Sequence, residues 1–187
     1  NQPGKKLARG SLALQDSELQ AGLYHFPLQE TGSKTRLHLR VDPDGHGTLV
    51  INANQILHLN PTATLIGYLH LKGRTAQEIG AKLQVLYDGD QTKFLEDVGK
   101  LTADLDAFIY ANGRAVHPLS EGEIHAPYSL HPSAPYRMDL ALTYRCNNDC
   151  PHCYNARSRT FPELDTETWK DILDRLWALN IPHLIFT

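Results

Sequence analysis

The sequence predicts two folded blocks: an α+β domain of a three-stranded sheet plus three helices, then a strand–helix–strand unit that implies a parallel sheet. Three observations predict this. Short alternating or β-branched apolar runs fill residues 36–59, and helix caps with helical apolar spacing fill residues 60–113. A single strand–helix–strand pattern then occupies residues 137–187, after a proline-rich stretch.

Composition narrows the class. The 187 residues lie between one and two typical domains, and 41% hydrophobic content suffices for real cores. A formal charge of −3 gives no electrostatic footprint for nucleic acid or an anionic membrane, so neither is an expected partner. No apolar run approaches the roughly 18 residues of a membrane span. Lys5 and Lys6 are not followed by the apolar segment of a signal peptide. All 3 cysteines fall between residues 146 and 153, a poor disulfide framework and a good metal-site candidate, so a reducing cytoplasm is the expected compartment. The chain starts at Asn1 and stops at Thr187 inside the apolar run Leu184-Ile185-Phe186, and is therefore expected to be a fragment.

Residues 1–22 are polar and read as a tail or loosely docked lead-in. Arg36 to Val41 alternates with period two, placing Leu37, Leu39 and Val41 on one face. Asp42-Pro43-Asp44-Gly45-His46-Gly47 is turn chemistry; it lacks the later ligand positions of a calcium loop. Thr48–Asn52 and Gln55–Leu59 are two further strands, joined tightly by Ala53-Asn54, completing an antiparallel meander. Asn60 is a good N-cap and Pro61 suits the first helical position, with Gly73 ending that helix. Thr75-Ala76-Gln77-Glu78 is a capping box opening a second helix, which buries Ile79, Leu83 and Leu86. A third helix starts near Asp90 with Phe94, Val98, Leu101, Leu105 and Phe108 on one stripe, and Gly113 closes it.

From 114 to 136 the pattern dissolves into a linker containing Pro118, Pro127, Pro132 and Pro135. A strand at 138–144 precedes the cysteines. A helix from about Thr166 to Leu179 carries Trp169, Ile172, Leu173, Leu176 and Trp177 as an apolar stripe expected in the core. Asn180 caps it, and Pro182–Thr187 forms the last strand. His38 and His58 read as solvent-facing strand residues.

The chemistry lies in Cys146-Asn147-Asn148-Asp149-Cys150-Pro151-His152-Cys153-Tyr154, three thiols spaced C-x3-C-x2-C on a loop leaving the C-terminal end of a strand. Three thiolates can ligate zinc, with His152 as a fourth ligand, or an iron–sulfur cluster. A four-iron cluster held by three cysteines leaves one iron open, as catalysis requires. Asn147, Asn148 and Asp149 can hydrogen-bond around such a site or fix the loop.

This motif, after the first strand of a β/α unit, resembles the radical S-adenosylmethionine (radical SAM) superfamily, with His152 in the aromatic slot and Cys153-Tyr154 like peptide-modifying members. The resemblance covers residues 137–187 and implies the start of a partial, truncated β/α barrel. It implies that Cys146, Cys150 and Cys153 ligate a [4Fe–4S] cluster, with His152 beside the cofactor. S-adenosyl-L-methionine would bind the open iron, and a flavodoxin or ferredoxin would donate the electron for its cleavage to a 5′-deoxyadenosyl radical. The Gly-Gly-Glu segment that the family places after its second strand should begin beyond Thr187. This fragment alone is therefore expected to bind SAM poorly and to be inactive.

Residues 23–113 have their own resemblance. Strand, Asp-Pro turn, two strands, then Leu59-Asn60-Pro61-Thr62-Ala63 entering a helix and Gly73-Arg74-Thr75 starting the next, resemble PqqD-like domains. These are the recognition elements for leader peptides of ribosomally made, post-translationally modified peptides. The resemblance implies that a precursor leader peptide adds as a strand along Gln55, Ile56, Leu57, His58 and Leu59. Leu95, Lys100 and Thr102 on the third helix would face it. Leu57 and Leu59 also suit an ordinary core. The expected function is a radical SAM peptide-modifying enzyme, its tethered recognition module raising the local peptide concentration. The alternatives are a radical SAM enzyme acting on a small molecule and a non-catalytic peptide- or zinc-binding protein.

Overall fold

The computed structural model describes residues 19–30, 33–52, 55–110, 132–153 and 162–187. They belong to two units, Asn1–Ser133 and Ala134–Thr187. Most of the expected tail and linker, residues 1–18 and 111–131, lies outside the described residues, as do Ala53-Asn54 and Tyr154.

The first unit holds strands β1 (Gly22–Glu30), β2 (Ser33–Val41), β3 (Gly47–Ile51) and β4 (Gln55–Leu59). Helices α1 (Pro61–Leu71), α2 (Ala76–Leu86) and α3 (Gln91–Tyr110) follow. The sheet order is β1-β2-β3-β4, antiparallel throughout. Among the described residues the expected three strands are thus four. The additional strand, β1, is masked in the sequence by Pro27, which argues against any interior strand but is tolerated at a sheet edge. Its register sets Phe26 opposite Leu37 and Tyr24 opposite Leu39. Leu19, within the stretch read as a lead-in, is fully buried in the same core.

One face of the sheet supplies Leu37, Leu39, Val41, Leu49, Ile51, Leu57 and Leu59 to the core, as period-two alternation dictates. The helices add Leu65, Ile66 and Leu69 from α1, Ile79 and Leu83 from α2, and Val98, Leu105 and Phe108 from α3. Each such side chain, buried fully, contributes roughly 1.5–3 kcal/mol. The local stop and start signals work as their chemistry requires. Asn60 Oδ1 accepts the Ala63 N–H at 2.9 Å, and Gly73 leaves α1 at φ +78°. Thr75 and Glu78 form the reciprocal capping box of α2. Gly47 is needed because a Cβ there would meet Thr64 Oγ1 at 2.6 Å, where α1 crosses β3.

The turn between β2 and β3 closes through Gly45 N–H to Asp42 C=O (2.9 Å) and Asp42 N–H to His46 C=O (2.8 Å). On the opposite sheet face Arg40 is 2% exposed, its Nε 3.3 Å from an Asp42 carboxylate oxygen that also accepts the Ser133 hydroxyl. His38 is half-buried and its ring stacks on that of His25 at 4.7 Å; His58 is exposed, as expected of a solvent-facing residue.

The second unit holds β5 (Arg137–Leu140), α4 (Thr166–Ala178) and β6 (His183–Phe186), with β5 and β6 parallel. The expected strand 138–144 ends at Leu140. Thr187 N–H still reaches Leu140 C=O, and Leu142 N–H reaches Thr187 C=O, both at 2.9 Å, but residues 142–145 are exposed. Asp165 caps α4 through the Thr168 N–H at 2.7 Å, and Asn180 turns the chain at φ +59°. Leu140, Leu176 and Ile181 form the core with Met138, Trp169, Ile172, Leu173 and Leu184 around them. Trp177, expected in that stripe, is 72% exposed instead. Among the described residues the β5–β6 pair and the side chains around it leave that end of the stripe uncovered.

Candidate functional site

The cysteine loop begins where β5 stops. Because β5 and β6 are parallel, their C-terminal ends lie side by side, and Cys146 follows from that shared end. Cys146 and Cys150 are exposed, Cys153 is half-buried, and none of the three is in a disulfide. The Asn148 backbone N–H donates to Cys146 Sγ at 3.4 Å. Cys153 N–H donates to Cys150 C=O at 3.1 Å, tightening Cys150-Pro151-His152-Cys153 into a turn with His152 exposed.

The base of the loop is closed by a polar knot that crosses it. Glu163 Oε1 accepts the Thr143 hydroxyl and Arg145 Nε–H (2.7 Å), while Oε2 accepts Arg145 Nη2–H (2.5 Å). Thr143 Oγ1 in turn accepts the Arg145 N–H at 3.0 Å. The Thr143 hydroxyl first, and then the Arg145 guanidinium, hold the Glu163 carboxyl below the usual carboxylate range. Beneath the loop, the Arg137 guanidinium donates twice to Asp139 at 3.0 Å and likewise lowers its carboxyl. Nothing in the sequence pairs residue 145 with residue 163, so the knot escapes sequence reasoning.

Three soft sulfur donors on one exposed turn suit zinc or iron–sulfur chemistry in donor type. Among the described residues no three His, Cys, Asp or Glu side chains converge on a common point. The donor set is present with its sulfurs apart, as is usual for sites completed by the metal itself.

The second candidate is the outer edge of β4. Among the described residues β4 is the last strand of its sheet. Backbone parity follows from two bonds, Asn52 N–H to Arg36 C=O (3.0 Å) and Asp42 N–H to His46 C=O (2.8 Å). In an antiparallel ladder the residues paired with a neighbour alternate with those facing the other side. Residues 48 and 50 therefore face β2, and Gly47, Leu49 and Ile51 face Leu59, Leu57 and Gln55. The main-chain groups of Ile56 and His58 then point away from β3. At the other edge the same parity turns position 27 outward, and Pro27 has no N–H to offer there.

Of the five expected edge residues, Leu57 and Leu59 are buried in the core, Gln55 and Ile56 are half-buried and His58 is exposed. Leu95 is turned toward α2, its Cδ2 lying 2.8 Å from where a Cβ on Gly80 would sit. The Thr102 hydroxyl bonds the Val98 carbonyl of its own helix at 2.9 Å. Lys100 is exposed. No helix among the described residues is long and apolar enough to cross a membrane.

No protein-family model matches the chain, and no solved structure does. Over 58 residues it is 36% identical to the PqqA peptide cyclase of Gluconobacter oxydans (strain 621H). That stretch is 30% of this chain and 16% of the relative, so the chain spans a small part of that protein. The similarity links the chain to an enzyme named for cyclising a peptide.

Proposed function

We propose that this chain is part of a radical SAM enzyme that modifies a ribosomally made precursor peptide in the cytoplasm. The observation that carries the reading is the C-x3-C-x2-C loop leaving the shared C-terminal end of two parallel strands joined by a helix. The partial likeness to a PqqA peptide cyclase supports the peptide as substrate class. Cys146, Cys150 and Cys153 would hold a [4Fe–4S] cluster and His152 would flank the cofactor. When bound, cluster and S-adenosylmethionine supply hydrogen abstraction from substrate, given an electron from a flavodoxin- or ferredoxin-like donor.

The chain's own residues do the positioning. Leader recognition falls to β4, where strand addition gives affinity through main-chain bonds at Ile56 and His58. Leu57 and Leu59 contribute through the core that stiffens the strand. The proline at the β1 edge and its absence at β4 favour β4 as the receiving edge. The test compares turnover of full-length PqqA with its leaderless core, using enzyme that contains this chain. Turnover only with the leader supports recognition, and equal turnover removes it.

A second reading has one observation in its favour. His152 shares a turn with Cys150 and Cys153, so three thiolates and an imidazole could close a structural zinc site. Metal content separates the two readings.

A further inference from the structure

The knot at the base of the cysteine loop carries an inference of its own, resting on the reading of that loop as a metal-cluster loop. Glu163 lies 18 residues after Arg145 and 20 after Thr143, so its carboxylate bonds the two strands of chain that enter and leave the cysteine segment. Both carboxylate oxygens are engaged, and the guanidinium is gripped in the bidentate geometry that fixes direction as well as distance. Thr143 completes a relay: its oxygen accepts the Arg145 N–H while its hydroxyl donates to Glu163. That relay sets the backbone at Arg145, the residue immediately before the first cysteine. Glu163 itself lies two residues ahead of the cap of α4, Asp165, so the knot ties the cysteine loop to the start of a helix.

An exposed ion pair of this kind contributes little to global stability, and Arg145 is 78% exposed at its side chain. Its effect lies in confinement. Closing the loop at its base restricts the separations open to three sulfurs that are not yet gathered. We propose that Glu163 is a positioning residue for the cysteine loop, acting through Thr143 and Arg145 to keep the loop closed before metal arrives. Residues that orient metal ligands from outside typically change affinity by about 10–100-fold, and the loss expected for Glu163→Ala is in that range.

The test uses the full 187-residue chain and cadmium ion as probe, because cadmium–thiolate absorbance counts bound sulfurs whatever the native metal. Wild type, Glu163→Ala, Glu163→Gln, Thr143→Val and the charge-swapped pair Arg145→Glu with Glu163→Arg are titrated. Thermal unfolding is followed in parallel. The proposal expects about 10–100-fold weaker cadmium binding and lower absorbance per bound ion for Glu163→Ala, with unchanged unfolding. Glu163→Gln, which keeps one acceptor and loses the charge, should fall between, and the swapped pair should recover affinity. Wild-type affinity in both Glu163→Ala and Glu163→Gln overturns it. If wild type binds cadmium through three thiols, loses affinity with Glu163, yet never takes up iron and sulfide, the clamp stands and the radical SAM reading falls.

Discussion

Replacing Ile56 with proline separates an edge that receives a peptide from an edge that merely ends a sheet. The parity of the ladder turns the Ile56 N–H away from β3, while Gln55, Leu57 and Leu59 hold the β3 pairing. Proline removes that one donor, and its ring occupies the space where an added strand would lie. The donor alone is worth about 1 kcal/mol net, roughly fivefold in affinity, and the ring adds a steric barrier. Binding should therefore weaken by at least about tenfold. Folding should survive, since Ile56 is half-buried and the ladder bonds to β3 remain. Proline at Leu57 is the contrasting control, because it cuts the ladder and deletes a leucine that is 8% exposed, costing about 3 kcal/mol or more. The assay is fluorescence anisotropy of a labelled precursor leader peptide that the wild type binds, titrated with each variant, with unfolding curves beside it. Unchanged affinity in a folded Ile56→Pro variant would refute strand addition at β4.

Other outcomes follow from packing and charge. Gly47→Ala drives a methyl against Thr64, which is fully buried, so it should lower stability by about 1–3 kcal/mol in urea unfolding. Gly99→Ala, with open space around it within α3, should raise stability by about 0.5–1 kcal/mol. Asp42→Ala removes the carboxylate from a guanidinium that is 2% exposed and should cost about 3 kcal/mol by the same measurement. Glu78 has its carboxyl held low, chiefly by the Thr75 N–H and then the Thr75 hydroxyl. Its folded pKa lies below the unfolded one, so its stabilisation is present above the usual carboxylate range and lost as pH falls through the folded value. Glu78→Gln should accordingly flatten the acid limb of the stability–pH profile.

What the sequence disclosed is what local chemistry determines. Asn60 and the Thr75–Glu78 box each act within three residues of themselves, so these two helix starts were readable without tertiary information. The alternation of Leu37, Leu39 and Val41 likewise fixed the buried face of β2. The strand β1 was hidden because Pro27 is tolerated only where the neighbouring edge is vacant, a property of the sheet rather than of the segment. Trp177 was misread because apolar spacing reports the face of a helix and not how much surface exists to cover it. The cysteine loop was legible as a donor set, whereas its closure by Glu163 depends on two segments meeting in space. Leu95 and Thr102 sit on the expected helix, where Leu95 packs toward α2 and the Thr102 hydroxyl bonds the Val98 carbonyl.

The central claim is that the cysteine loop holds an iron–sulfur cluster, and anaerobic loading with iron and sulfide tests it most directly. The account predicts about four iron and four sulfide per chain, with broad visible charge-transfer absorbance that is lost in Cys150→Ala. One zinc ion per chain, held by the same cysteines with no uptake of iron, would contradict it.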